Sequence, residues 1–205
     1  MTQVLRKIKR TAAVVTEPIT LATARLHLRL DTTGSPPTHP DDALVTNIIK
    51  TAREAVETYT ELTLGQTTYA LALDEFPVNA IELGTYPINS ITSIIYTDTN
   101  GTLQTLSAGQ YIFDSYSKPS KIFPAATWPH TKQVPNAVIV RFAAGFTDGL
   151  SPNEYPMPLA LKQAMLLYIG ELYENREAIN VGNLVTAIPF GIIHLMTPYR
   201  INMGP

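Results

Sequence analysis

Residues 88–106 read INSITSIIYTDTNGTLQTL, and this stretch decides the fold. Ile88 to Thr97 is rich in β-branched side chains, which suit a pleated, half-buried surface. Asp98-Thr99-Asn100-Gly101 then sets Asn-Gly between two such runs. That is the strongest short-range hairpin signal, because both residues tolerate the positive φ of a tight turn. Thr102 to Leu106 is the returning strand. Working outward, Thr68 to Leu73, Ala80 to Leu83, Tyr111 to Phe113 and Ala137 to Ala143 are further short runs bounded by Gly, Asn or Asp. About six to eight antiparallel strands are therefore expected between residues 66 and 146.

Outside this region the period changes from 2 to 3.6. Upstream, Leu44, Ile48, Ala52, Ala55, Val56, Tyr59 and Leu62 recur at three and four residues, which predicts an amphipathic helix over Ala43 to Leu62. Asp41 or Asp42 caps its start and Gly65 fits its end. Thr20 is a plausible cap for a shorter helix, Leu21 to Leu30, and the proline-rich stretch DTTGSPPTHP at 31–40 prevents the two from fusing. Downstream, Leu159 to Ala178 reads as a second long helix. Its residues Leu161, Ala164, Met165, Leu166, Leu167, Tyr168, Ile169, Leu172 and Tyr173 cover more than half the circumference, so contacts on two sides are expected. A short apolar piece, Ile192 to Met196, stops at Pro198. The fold class is α+β: a helical bundle from N- and C-terminal helices with an inserted antiparallel β domain. The expected division is a flexible basic N-terminus at 1–18, a helical core at 19–65 and 147–188, a β insert at 66–146 and a docking segment at 189–205.

Composition narrows the function. The chain has 205 residues, 45% of them hydrophobic, enough for a sizeable core. Only 16% are charged, so much of the surface is neutral, as surfaces that meet other protein often are. A net charge of -2 offers no bulk attraction to nucleic acid. Arg6, Lys7, Lys9 and Arg10 form the one basic cluster and read as a solvated tail. The absence of cysteine removes disulfides, thiolate nucleophiles and Cys-ligated zinc together. No apolar run reaches the length of a secretory or membrane segment, so a protein that stays in the cytoplasm where it is made is expected.

The search for chemistry yields little. His27, His39, His130 and His194 lie far apart and lack a second ligand at helical spacing, so no metal and no cofactor is indicated. Asp98-x-Asn100-Gly101 looks like the start of a calcium loop, but the closing Glu is missing and a turn is the better reading. Glu171, Glu174 and Glu177 fall on the outer face of a helix, where charges belong. Trp128, with Phe123, Tyr111 and Tyr116 nearby, allows a carbohydrate- or receptor-binding module on the β insert as the alternative function. Nucleophile elbows, Walker loops and dinucleotide glycine patterns are all missing, so no enzyme is expected.

The ordered set of segments carries a resemblance. ITLATARLHLRL (19–30), DDALVTNIIKTAREAVETYTE (41–61), PINSITSIIYTDTNGTLQTLSAGQYIFD (87–114), RFAAGF (141–146), LKQAMLLYIGELYENREAI (161–179) and IPFGIIHLMTPYR (188–200) together look like the adaptor, or head-tail connector, proteins of siphophages and related gene-transfer particles. The most specific part is Tyr173-Glu174-Asn175-Arg176-Glu177, ahead of Pro-Phe-Gly and a terminal Tyr-Arg. The resemblance implies a structural protein of the virion head-tail junction, without enzyme activity. It implies a homo-oligomeric ring, typically of twelve subunits, beneath the portal protein, which extends the DNA channel and receives a stopper or tail-completion protein. Genomic DNA passes without sequence-specific binding, and no membrane is involved. On that basis Pro189, Phe190, Ile192, Tyr199 and Arg200 are candidates for portal docking, against the competing reading of a tail folded onto its own subunit. Met165, Tyr168, Leu172 and Tyr173 are candidates for the subunit interface. Asp41, Asp42, Glu54, Glu57 and Glu61 are candidates for lining the channel, where neutral or acidic walls let DNA slide, although a solvated helix face explains the same acids.

Overall fold

The computed structural model describes residues 7–147, 155–176 and 189–201. In chain order the elements are β1 (Lys7–Arg10), α1 (Leu21–His27), α2 (Asp42–Thr60), β2 (Thr67–Leu73), β3 (Ile81–Glu82), β4 (Ile88–Thr97), β5 (Leu103–Thr105), β6 (Tyr111–Asp114), β7 (Lys121–Pro124), β8 (Val138–Ala144), α3 (Leu159–Glu174) and α4 (Phe190–Met196). The described residues divide into two compact units. One is built from 7–15, 61–147, 155 and 201, the other from 16–60, 156–176 and 189–200.

The β unit holds two antiparallel sheets, in the orders β1-β2-β8-β4-β5 and β3-β7-β6. Ile88, Ile91 and Ile94 stand three residues apart, a helical spacing, yet all lie on β4. Two irregularities in its pairing with β8, between Ile88 and Ser90 and between Ile91 and Ser93, reset the alternation so that Ile88, Ile91 and Ile94 oppose Ala144, Phe142 and Val140. Val138, Val140, Phe142 and Ala144 alternate inward on β8 and are fully buried. With Leu71, Ile81, Leu83, Ile88, Ile94, Leu106 and Ile122 they form one core fed by both sheets. The hairpin forms where expected, but of Asn100 and Gly101 only the glycine takes a positive φ, and the loop closes between Asp98 and Thr102. Gly101 adopts φ +88 and its N–H donates to the Asp98 carbonyl at 2.9 Å. The Asp98 carboxylate accepts from the N–H groups of Asn100 and Thr102, both at 2.9 Å, so it serves the turn. Gly145, at φ +123, allows a close backbone crossing, since a Cβ there would sit 2.5 Å from the Gly65 carbonyl oxygen.

Two strands escaped the sequence reading. Lys7–Arg10 pairs with β2 as an edge strand instead of a flexible tail, with Ile8 packed on the core. Alternating cations mask the single apolar residue and suit an edge, where lysine discourages further pairing. β7 is only four residues long and ends in Pro124, so its composition reads as a loop.

In the helical unit the Thr20 hydroxyl caps α1 by accepting from the Thr23 N–H at 3.1 Å. The helix ends at His27, short of Leu30, because Arg29 takes φ +55. The α2 helix stops where Glu61 turns left-handed at φ +60, four residues before the expected Gly65. Val45, Ile48, Ile49, Ala52 and Val56 of α2 are buried, as are Leu161, Ala164, Met165 and Ile169 of α3 and Ile192 and Met196 of α4. These faces pack together as the expected bundle, with Ala24 of α1 completing it.

Candidate functional site

Of the five acids read as channel-lining, four are partly or wholly buried, and three of these, Asp41, Asp42 and Glu57, are held by guanidinium groups. Asp42 accepts from both Nε (2.6 Å) and Nη2 of Arg25 and from the His39 N–H at 2.9 Å. The Arg25 hydrogen bonds, seconded by the His39 N–H, hold its carboxyl below the ordinary aspartate range. Asp41 Oδ2 accepts from the Tyr173 hydroxyl at 2.6 Å and from Arg176 Nη2 at 2.7 Å, which clamps the end of α3 to the start of α2. Those bonds, Tyr173 first, lower the Asp41 pKa, and the same bond raises that of the Tyr173 phenol. The Arg176 guanidinium also lies over the Tyr173 ring, 4.5 Å from its centroid.

Glu57 is buried beside Arg53, which it meets at 2.9 Å. Arg53, only 4% exposed, also reaches Glu17 at 2.8 Å and Glu54 at 3.4 Å. Burial alone would lower the Arg53 pKa, but the Glu17 hydrogen bond and the Glu57 charge outweigh it and the net shift is upward. Glu61 is half-buried with Oε2 unpartnered. Glu54 is the one of the five that stands exposed, at 66% of its side chain. Arg53 was not singled out from the sequence, yet a signal was there: a charged residue inside the apolar stripe between Ala52 and Val56, four residues from an acid.

Of the residues read as a subunit interface, Met165 is fully enclosed in its own unit. Tyr168, Leu172 and Tyr173 are half-buried. The exposed face of α3 is a different stripe, Leu159, Gln163, Leu167, Glu171 and Glu174, with Leu159 80% and Leu167 39% exposed. The C-terminal segment also splits. Ile192 lies in the core of the helical unit, whereas Phe190 is 81% exposed on the first turn of α4. Pro189 and Tyr199 are half-buried. Arg200 is exposed but lies over the Tyr59 ring at 5.6 Å, and Tyr59 shares a 3.0 Å hydrogen bond with the Thr197 hydroxyl. Thr51, Glu54, Ala55, Thr58, Tyr59 and Arg200 line an open groove of about 630 Å³ on this unit.

In the β unit, Trp128 stacks on Phe76 at 4.8 Å with planes 7° apart, so one indole face is already covered. Its Nε1 donates to the Asn79 carbonyl at 3.4 Å and the ring packs against the core. The described residues hold no group of three His, Asp or Glu placed to bind a metal. No described helix is long and apolar enough to cross a membrane. The carboxylates that do cluster are engaged by guanidinium groups, an arrangement that fixes helices in place.

Known proteins agree with this geometry. The fold is similar to a chain in the neck of an empty GTA particle computed with sixfold cyclic symmetry, with a TM-score of 0.75 and 24% identity over 94% of both chains. A chain of the virion of the native gene transfer agent particle gives 0.73 and 24% over 95% of both. One from the neck of the native particle, computed with twelvefold symmetry, gives 0.71 and 22% over 94% of both. No curated protein sequence matches the chain. Residues 18–120, half of the chain, match the family described as phage gp6-like head-tail connector protein. This chain is a member of that head-tail connector family.

Proposed function

We propose that the chain forms the adaptor ring below the portal of a tailed particle, extends the DNA channel and offers the platform to which a stopper or tail-completion protein attaches. The observation that carries this reading is the correspondence of the whole fold, over 94% of both chains, to a subunit of a neck computed with twelvefold symmetry. Membership of the connector family agrees with it. The helical unit supplies the ring wall, because its long helices α2 and α3 are rigid and each keeps one uncovered stripe. Glu54 and the neutral Asn47, Thr51 and Thr58 share the exposed face of α2 with a single cation, Lys50, which leaves the face near neutral, as a sliding channel needs.

Portal docking falls to the start of α4, where Pro189 presents Phe190 as an exposed aromatic anchor, together with the half-buried Tyr199 and with Arg200, which borders the Tyr59 groove. Ile192 holds this anchor by its place in the core. Removing the whole segment would open that core, so the sharper probe is Phe190→Asp. Native mass and negative-stain imaging of the protein, alone and mixed with portal, test the ring. Closed rings or portal-dependent stacking are expected, with stacking lost in Phe190→Asp while the free subunit keeps its melting temperature. A monomer indifferent to portal would overturn the reading.

A further inference from the structure

Among the described residues, two exposed faces are complementary in charge. The first is the outer face of the five-stranded sheet. Residues opposite one another across strands share a face, so the register places Lys9, Ala70, Arg141 and Ser93 in one row and Lys7, Ala72, Ile139 and Ile95 in the next. Both rows point away from the core that Leu71, Val140, Phe142 and Ile94 face. Arg141 is exposed at the middle of the central strand and has no ion pair among the described residues. Small side chains keep the surroundings flat, Ile139 and Ile95 make part of it apolar, and neither row contains a carboxylate. Lys7 is paired at its edge with Asp74 at 2.7 Å.

The second face is the outer stripe of α3. Leu159 and Leu167 carry exposed apolar surface on either side of the neutral Gln163, and Glu171 and Glu174 make its last turn acidic. Sixteen residues of helix span about 24 Å, and the seven residues of β8 about 23 Å.

We infer that the sheet face of one copy receives the α3 stripe of the next copy, Ile139 and Ile95 meeting the leucines and Arg141 and Lys9 meeting Glu171 and Glu174. This inference rests on the ring reading and names the surfaces that close it. Charge selects the pairing. Sheet against sheet would oppose Arg141 to its own copy, and helix against helix would oppose Glu171 and Glu174 to theirs, so only the unlike contact is favourable. An unlike, head-to-tail contact generates rings.

The absence of cysteine makes cross-linking clean. Full-length protein carrying both Ser93→Cys and Gln163→Cys is assembled with portal and treated with a short bis-maleimide. A covalent ladder rising to the full ring is expected, whereas each single variant stays monomeric and a mixture of the two singles stops at dimers. Rings seen by negative stain that give no ladder would overturn this inference and leave the ring reading intact; absence of any ring would overturn both. Arg141→Glu and Glu171→Arg are each expected to lower the assembled fraction at least tenfold, and their combination to recover most of it. If Arg141→Glu instead abolished binding to duplex DNA and left assembly unchanged, the face would be a phosphate surface and the subunit contact would be refuted.

Discussion

The two units of this chain keep their shape by different means. The β unit has a continuous apolar core of eleven buried residues, all uncharged, and tolerates buried Ser120 Oγ and Asn89 Oδ1 without partners among the described residues. The helical unit buries Arg53 and Glu57 among its apolar contacts and ties helix ends together with Arg25–Asp42 and Asp41–Tyr173–Arg176. The sheets are therefore held by packing and the helices by packing plus charge. The helical unit thus buries part of its charge pairing, whereas the ion pairs of the β unit, Lys7–Asp74 and Glu82–Lys121, lie at its surface.

The largest effect expected on the β side is from Phe142→Ala, which removes a fully buried ring at the centre of β8 that stacks on Tyr69 at 5.7 Å. A loss of about 4 kcal/mol is expected in denaturant unfolding, nearly independent of salt. On the helical side Arg53→Met strands Glu57 without its cation in a buried site and should cost about 3 kcal/mol. The double variant Arg53→Met, Glu57→Leu should regain most of that, since a packed apolar pair replaces a buried ionic one at little cost. If the double variant is no better than the single, charge is not what distinguishes the two units.

The sequence reading met these regions unevenly, for physical reasons. Period and turn chemistry are local, so β4, the Asp98–Gly101 turn, α2 and α3 were legible from Ile, Asn-Gly and Leu spacing alone. Pairing is not local. That Lys7–Arg10 finds β2 some sixty residues on is set by a sheet edge that no window contains, and β7 is hidden by its shortness and its closing Pro124. The exposed stripe of α3 was out of reach because its apolar residues run all round the helix; only its neighbours decide which side is left open. Asp41 and Asp42 were seen as a helix cap, but Arg25 and Arg176, which hold them, come from other elements.

A smaller prediction tests local capping alone. Thr20→Ala removes the hydroxyl that caps α1 and should cost about 1 kcal/mol, seen as faster amide exchange through Leu21–His27 with no change in the β unit.

The smallest effect expected is the pH response of the clamp between Asp41, Tyr173 and Arg176. Asp41 has a folded pKa below the ordinary aspartate value of about 3.9, so the clamp is complete above that range and its contribution is lost as pH falls through the depressed value. Tyr173 has a raised pKa, so its share is complete below the ordinary tyrosine value of about 10 and is lost as pH rises past the raised one. The clamp therefore works between these limits and fails on both sides. Because its groups are partly exposed and screened, its contribution to overall unfolding is small, and the site itself is the better witness. Carbon-detected NMR should show the Asp41 carboxyl titrating below the ordinary aspartate range. Asp41→Asn should return Tyr173 toward its ordinary value while β-unit resonances stay still. If Tyr173 titrates identically in both proteins, the acid end of α2 does not hold α3, and the contrast between a packed unit and a charge-clamped one loses its clearest support.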